Sequence, residues 1–302
     1  MLLGSTDLDV FPLCLGGNVF GRAADEEQSF AVLDAYVQAG GNFIDTANIY
    51  TGGASEEILG NWMKARGNRE RIVLATKVGM GPDAGLSPEQ IRDGVSGSLG
   101  RLQTDWIDLY YAHRDDESVP LEQTLQAFDG LVREGKVRHV AASNYDAKRL
   151  AEALEISERE HFASYVALQP HYNLVVRDEY EGPLQRLCVD RGIACLPYFA
   201  LAQGFLTGKY RPGGATVESR RAESASTYLD ERGLRVLGTL DEIAARHETT
   251  VAAVALTWLR ERPGVVAPIA SARTREQLDD LLPVATLTLQ ESELSALTDA
   301  SA

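Results

Sequence analysis

The sequence is short of cysteine. It has three in 302 residues, Cys14, Cys188 and Cys195, and no CxxC pair. An odd, sparse set argues against a disulfide scaffold and fits a reducing compartment. The three are expected as buried small apolar residues, and the protein as cytoplasmic. Positive charge is also short: 29 Lys and Arg face 44 Asp and Glu, a net charge of −15. That balance disfavours nucleic acid and anionic membranes as partners. A phosphate-bearing ligand then needs a local cation or backbone-amide site. No apolar run approaches the ~18 residues of a membrane span, and the opening Met1-Leu2-Leu3-Gly4-Ser5 does not read as a signal peptide. The five histidines, His113, His139, His161, His171 and His247, show no HExxH or paired spacing, so no metal site is expected. No GxSxG nucleophile elbow is present. What remains is ordinary for a globular protein, 44% hydrophobic and 24% charged.

Short apolar runs recur along the chain at 12–16, 42–46, 72–78, 106–112, 137–143, 165–170, 193–198 and 265–269. Most are continuous and not alternating, as suits parallel strands covered on both faces. Helical patterns lie between or after them at 26–39, 56–66, 88–102, 121–133, 147–158, 179–191, 231–246 and 251–262. Ser87-Pro88-Glu89-Gln90 is a capping box with proline at the first helical position, and Thr274 with Gln277 repeats the box. Glu56 and Glu57 suit the positive end of a helix. The first seven strand candidates are spaced by about 30 residues, the size of one βα unit. Eight such units without a composition break predict an α/β fold, a single (β/α)₈ TIM barrel over residues 1–302. A doubly wound sheet is the alternative, but Leu15-Gly16-Gly17-Asn18-Val19-Phe20-Gly21 does not match its GxGxxG turn. Residues 200–230 break the rhythm as one long loop, a length that is usually functional or disordered.

Reactive groups of such a barrel come from the C-terminal ends of its strands. Those ends carry Asp45, with Tyr50 five residues on, then Lys77, then His113. Singly, an acid can cap the next helix, a tyrosine can be packing, and a lysine or histidine can belong to a solvated loop. Together, at the ends of three successive strands, they converge on one mouth. Tyrosine donates protons poorly near neutral pH, with a pKa of about 10, and a neighbouring ammonium lowers it. Lys77 can supply that charge, Asp45 can neutralise Lys77 in a closed pocket, and His113 can hydrogen-bond the oxygen that accepts the proton.

Gly41-Asn42-Phe43-Ile44-Asp45-Thr46-Ala47-Asn48-Ile49-Tyr50, Ser55-Glu56-Glu57-Ile58-Leu59-Gly60, Ala75-Thr76-Lys77 and Asp108-Leu109-Tyr110-Tyr111-Ala112-His113 resemble the aldo-keto reductases. The resemblance covers essentially the whole chain and is nearer the bacterial sugar-reductase and potassium-channel beta-subunit branch. It implies Asp45, Tyr50, Lys77 and His113 as the catalytic set and NADPH/NADP+ as cofactor, held across the barrel mouth without a Rossmann domain. Ser143, Asn144 and Gln169 match the carboxamide-binding side chains, and Tyr198 the aromatic against the nicotinamide. The segment with Ala200, Leu201, Gly204, Leu206, Gly208 and Lys209 matches the pyrophosphate cover, where glycines permit close backbone approach. Ser271 and Arg273, before a capped helix, match the adenosine 2′-phosphate site. Gln277 and Asp280 match positions near the adenine, and Leu281 stands where many members have asparagine.

The implied activity is reduction of a small-molecule carbonyl, an aldehyde, ketone or keto-sugar, by hydride transfer with Tyr50 as general acid. Asn18, Phe20, Met80, Arg114 and the Arg-rich 218–221 stretch are expected to border the substrate pocket and to favour a polar substrate such as a sugar. Residues 200–230 are expected to close over the cofactor. Two rivals stand beside this reading: a Schiff-base aldolase using Lys77, and a non-catalytic nucleotide sensor or channel-associated subunit that keeps the cofactor site.

Overall fold

The computed structural model describes residues 1–81, 85–212 and 222–302. The 218–221 stretch expected at the pocket lies outside them, as do residues 213–221 of the expected 200–230 loop; the described part of that loop is not unbroken, since it holds a 3₁₀ turn at Ala202–Thr207 and a short helix at Ala222–Ser226. The strands are β1 (Cys14–Gly16), β2 (Phe43–Asp45), β3 (Val73–Val78), β4 (Ile107–Ala112), β5 (Val137–Ser143), β6 (Tyr165–Gln169), β7 (Ala194–Cys195) and β8 (Ile269–Ala270). All pair in parallel, in the order β7-β6-β5-β4-β3-β2-β1-β8. The ring closes through a parallel bridge between Cys195 and Val265. Val266 N–H donates to the Cys195 carbonyl at 3.0 Å, and Ile269 N–H to that of Pro197 at 2.9 Å. This is the expected (β/α)₈ barrel.

Most strands are shorter than their expected runs by one or two residues; β7 and β8 depart furthest, and proline explains both. A proline has no N–H to give a ladder. Pro268 divides the 265–269 run, so Val265 pairs with β7 while Ile269 and Ala270 pair with β1. Pro197 likewise cuts β7 to two residues.

The helices are α1 (Glu26–Gln38), α2 (Ala54–Arg66), α3 (Pro88–Leu102), α4 (Leu121–Arg133), α5 (Ala147–Glu160), α6 (Pro183–Arg191), α7 (Ala222–Ser226), α8 (Glu231–Arg246), α9 (Val251–Arg260), α10 (Arg275–Asp279) and α11 (Glu291–Ala300). Side-chain caps start most of them: Asp25, Ser87, Asp146, Asp230, Thr250 and Thr274 each accept from a backbone N–H three residues on. Helix α6 starts four residues later than its pattern predicts, because Gly182 sits at φ 103° and Pro183 takes the first helical position. Helix α11 was not expected. Its Gln290–Glu293 box and buried Leu294 and Leu297 define it.

Along each strand, alternate side chains enter the barrel. Val73 and Ala75, Leu109 and Tyr111, and Ala194 and Leu196 form one interior cluster with Cys14, Phe43, Ala141, Ala167 and Ala267. The next residues of the same parity are Lys77, His113 and Tyr198, with Asp45, Ser143 and Gln169 on the neighbouring strands. The chemistry is therefore the top layer of the barrel interior. An N-terminal hairpin, with Leu2 paired to Asp9, adds Leu3, Leu8 and Val10 to that cluster. All three cysteines are buried and free. Among the described residues no helix is long and apolar enough to cross a membrane.

Helix α2 lies close on α3. A Cβ at Gly60 would stand 2.3 Å from the Arg101 carbonyl oxygen and 2.8 Å from the Leu102 carbonyl carbon. Intrinsic propensity favours alanine over a mid-helix glycine by about 1 kcal/mol. The backbone contact opposes it and wins, since overpacking costs about 1–3 kcal/mol. Gly60→Ala is therefore expected to lower the urea midpoint; an unchanged or raised midpoint would contradict this close approach.

Candidate active site

Asp45 ends β2, and Lys77 is the fifth residue of the adjoining β3. Lys77 is wholly inaccessible to water, and its Nζ donates to Asp45 Oδ2 at 2.6 Å and to the Thr46 carbonyl at 2.7 Å. The other Asp45 oxygen, Oδ1, accepts from Gln169 Nε2 at 3.0 Å. Both partners are thus paired and hydrogen-bonded, the condition under which a buried ion pair is tolerable. Burial pushes the Lys77 ammonium down, but the Asp45 carboxylate foremost, and the Tyr50 oxygen once it ionises, outweigh it and hold the pKa above the ordinary lysine value. Lys77 is a fixed cation.

That cation lies 5.1 Å from the Tyr50 ring centre. Tyr50 opens a tight turn, Tyr50–Gly53, in which Thr51, Gly52 and Gly53 all have positive φ (53°, 65° and 100°). For the β-branched Thr51 this is a strained conformation, and its Oγ1 is tied to the Phe20 carbonyl at 3.2 Å. Lys77 acts on the Tyr50 pKa in the expected downward direction, but the net shift is upward. Burial dominates and raises it; Lys77 opposes that rise without reversing it. Tyr50 is therefore a protonated phenol at neutral pH, held beside a cation that would stabilise its conjugate base.

His113 follows β4. Its ring meets that of Tyr50 edge-on, with centroids 6.1 Å apart. Burial first, then Lys77 and Arg114, push its pKa down to about 3. The imidazole is neutral at physiological pH and acts as a hydrogen-bonding group, not a cation.

Around these, Ser143 Oγ donates to the Gln169 carbonyl at 2.9 Å, and Asn144 Nδ2 donates to the His113 carbonyl at 2.8 Å. Asn144 Oδ1 accepts from the Tyr198 hydroxyl at 2.9 Å. One face of Tyr198 is stacked on His171, with centroids 5.4 Å apart and planes 16° apart. Glu56, expected only as a helix-terminal charge, is completely buried. Its Oε1 accepts from Thr76 Oγ1 at 2.6 Å and its Oε2 from Arg101 Nε at 2.7 Å. It ties α2 to the residue before Lys77, and the Arg101 side chain packs on Gly53 at the end of the Tyr50 turn.

Asp45, Tyr50, His113, Ser143, Asn144, Gln169 and Tyr198 border one cavity of about 1360 Å³. That exceeds the ~300–1,000 Å³ of ordinary ligand pockets and leaves room for an extended dinucleotide with a substrate. Asn18, Met80, Arg114, Ser143, Asn144, Gln169, Tyr198, Leu201, Gly204, Lys209, Ser271, Arg273, Gln277 and Asp280 line it as the sequence suggests. Phe20 does not: its ring is fully buried in the main hydrophobic core, where an apolar side chain gains most. Ala200 and Leu206 are likewise buried in that core, and Gly208 packs toward Val251 and Arg211. These three support the wall and do not form it.

Lys209 and Arg273 make no ion pair among the described residues, which leaves both available to phosphate. The anion site expected at Arg273 is narrower than predicted. Gln277 Oε1 accepts from the Arg273 N–H at 3.0 Å and not from Thr274, and α10 has only five residues. The helix terminus contributes little, and the guanidinium remains. Arg22, Ala23, Gln203, Thr207, Thr250, Ala252 and Leu281 also line the cavity. Thr250 was within reach as the cap before an apolar helix; nothing in the sequence distinguishes Arg22. Among the described residues no group of three or more His, Cys, Asp or Glu could hold a metal ion.

The model of the Aldo/keto reductase family matches residues 12–302. An uncharacterized oxidoreductase, YrpG, of Bacillus subtilis is 35% identical over 312 residues, covering 98% of this chain and 94% of that one. A probable voltage-gated potassium channel subunit beta of rice is 34% identical, covering 91% and 88%. Norsolorinic acid reductase stcV of Emericella nidulans is 34% identical, covering 96% and 78%.

The depressed His113 pKa has a consequence for stability. Between its ordinary value of about 6.5 and about 3, the unfolded chain takes up a proton there that the folded chain does not. Stability therefore falls as pH falls through that window, with a limiting slope of about 1.4 kcal/mol per pH unit. In His113→Gln the unfolding free energy should fall less steeply between pH 6 and 4. Equal slopes for the two proteins would contradict a neutral His113.

Proposed function

The chain belongs to the aldo/keto reductase family, and on that premise we propose that it is an NADPH-dependent oxidoreductase that reduces a carbonyl to an alcohol with Tyr50 as general acid. The observation that carries the reading is the buried Lys77–Asp45 pair beside the Tyr50 ring, with His113 edge-on to the same ring. The bound nicotinamide supplies the hydride. Ser143, Asn144, Gln169 and Tyr198 hold the nicotinamide end, and Lys209 and Arg273 hold phosphates. His113, neutral, orients the carbonyl oxygen. Tyr50 gives it a proton, and Lys77 stabilises the phenolate left behind. Relatives named as reductases and as an oxidoreductase support this assignment. We read residues 1–302 as one functional unit working in a reducing, cytoplasmic environment, consistent with three free cysteines.

The aldolase reading has less support. A Schiff-base lysine must attack as the free amine, whereas Lys77 is buried, doubly hydrogen-bonded and held protonated. A second reading, a channel-associated subunit that binds the coenzyme, is favoured by the rice relative. Multiple turnover of any carbonyl with NADPH separates the two.

Tyr50→Phe keeps the ring and removes the proton. NADPH affinity should stay nearly unchanged while turnover falls by at least the ~10²–10⁴-fold contribution of general acid catalysis; near-normal turnover would exclude Tyr50 as the acid. Coenzyme choice rests on Arg273. A charge-assisted hydrogen bond corresponds to roughly 10–150-fold in affinity, so Arg273→Ala should weaken NADPH by about that factor and leave NADH nearly unaffected. Calorimetric titration of both coenzymes decides it, and equal losses would remove Arg273 from phosphate recognition.

A further inference from the structure

Two of the cavity's cations have no place in the coenzyme assignment. Arg22, in the loop after β1, and Arg114, directly after His113, are both exposed and line the cavity together with Tyr50, His113 and Met80. Neither makes an ion pair or a side-chain hydrogen bond among the described residues. The chain has a net charge of −15, and both arginines stand close in sequence to carboxylates. Arg114 is followed at once by two aspartates, yet Asp115 pairs with Arg149 at 2.8 Å. Asp116 accepts from the Leu86 N–H at 2.9 Å and from Ser118. Arg22 is followed by Asp25 and Glu26, yet Asp25 caps α1 through Gln28 N–H at 2.9 Å, and Glu26 accepts from Asn61 at 3.0 Å. The nearest acids in sequence have their hydrogen bonds elsewhere, Asp116 reaching Arg114 only through its longer-range charge, and neither guanidinium has a carboxylate in ion-pair contact among the described residues.

Given the carbonyl-reductase reading, on which this rests, we propose that the substrate carries an anionic group, a carboxylate or a phosphate, apart from its reacting carbonyl, and that Arg22 and Arg114 hold it. A neutral sugar offers no ionic partner to two guanidiniums that line the cavity beside Tyr50 and His113. An anion approaching a protein of net charge −15 meets an unfavourable long-range field, so its recognition has to be local. Guanidinium forks match the geometry of carboxylate and phosphate oxygens. The two arginines thereby set specificity, while Tyr50 and His113 address the carbonyl.

The test compares carbonyl pairs that differ in charge and little else: 4-carboxybenzaldehyde against 4-carbamoylbenzaldehyde, and glyceraldehyde 3-phosphate against glyceraldehyde. Each is assayed with NADPH on the wild type, Arg22→Gln and Arg114→Gln, with NADPH affinity measured separately by nicotinamide fluorescence. In at least one pair, kcat/KM should favour the charged member by about tenfold or more, and each substitution should reduce that ratio by a similar factor. The ratio should also shrink as salt is added. The responsive pair distinguishes carboxylate from phosphate. A wild-type ratio near one in both pairs overturns the proposal while leaving carbonyl reduction intact. Equal losses on charged and neutral members, accompanied by weaker NADPH binding, also overturn it and assign the arginines to the coenzyme. No turnover of any of the four compounds overturns both the proposal and the reductase reading beneath it.

Discussion

A lysine ammonium and an aspartate carboxylate are buried together at the top of the barrel, and much of the surrounding architecture exists to make that tolerable. Lys77 has no exposure to water, and Asp45 is almost as deeply buried. Removing either partner from such a pair leaves an uncompensated buried charge, at a cost of about 3–5 kcal/mol. The pair is possible because β2 and β3 are hydrogen-bonded neighbours, because the Thr46 carbonyl turns toward the ammonium, and because Gln169 reaches Asp45 from β6 across the ring. Barrel closure is thus a condition of the charge pair. The pair in turn creates the field in which Tyr50 and His113 work: it keeps a cation against the phenol and helps hold the imidazole neutral.

How much of this could be read from the sequence follows from the range of each interaction. Asp45, Lys77 and His113 were legible because strand ends in a parallel barrel face one mouth and because the strands themselves were clear. The Asp45–Gln169 hydrogen bond spans 124 residues of sequence, and only the curvature of the sheet brings the two together. Glu56 read as a helix-terminal charge because its position in α2 was visible, but its partners Thr76 and Arg101 belong to other elements. Phe20 read as a pocket residue because it lies in the first loop; its ring went to the core instead. The last strand was misjudged because a run of apolar residues does not reveal that Pro268 sends its two halves to different neighbours.

The charge distribution repeats the same logic at larger scale. Acidic residues dominate the chain, and many cap helices or pair with arginines on the outside of the barrel. In the cavity Arg22, Arg114, Lys209 and Arg273 make no ion pair among the described residues. A globally acidic surface with a locally basic cleft restricts anion binding to that cleft, because attraction acts only within a few ångströms of the guanidiniums while the long-range field repels.

If the Lys77–Asp45 pair governs proton donation by Tyr50, Asp45→Asn must change the pH dependence of the reaction. Asparagine keeps the shape and removes the charge. The Asp45 carboxylate raises the pKa of both Tyr50 and Lys77, so its loss should lower both. Whichever of the two sets the basic limb of the kcat/KM profile for carbonyl reduction, that limb should move to lower pH, by about one unit or more for a charge this close, with NADPH affinity preserved. A basic limb that stays where it is in the wild type, at undiminished turnover, would contradict the account.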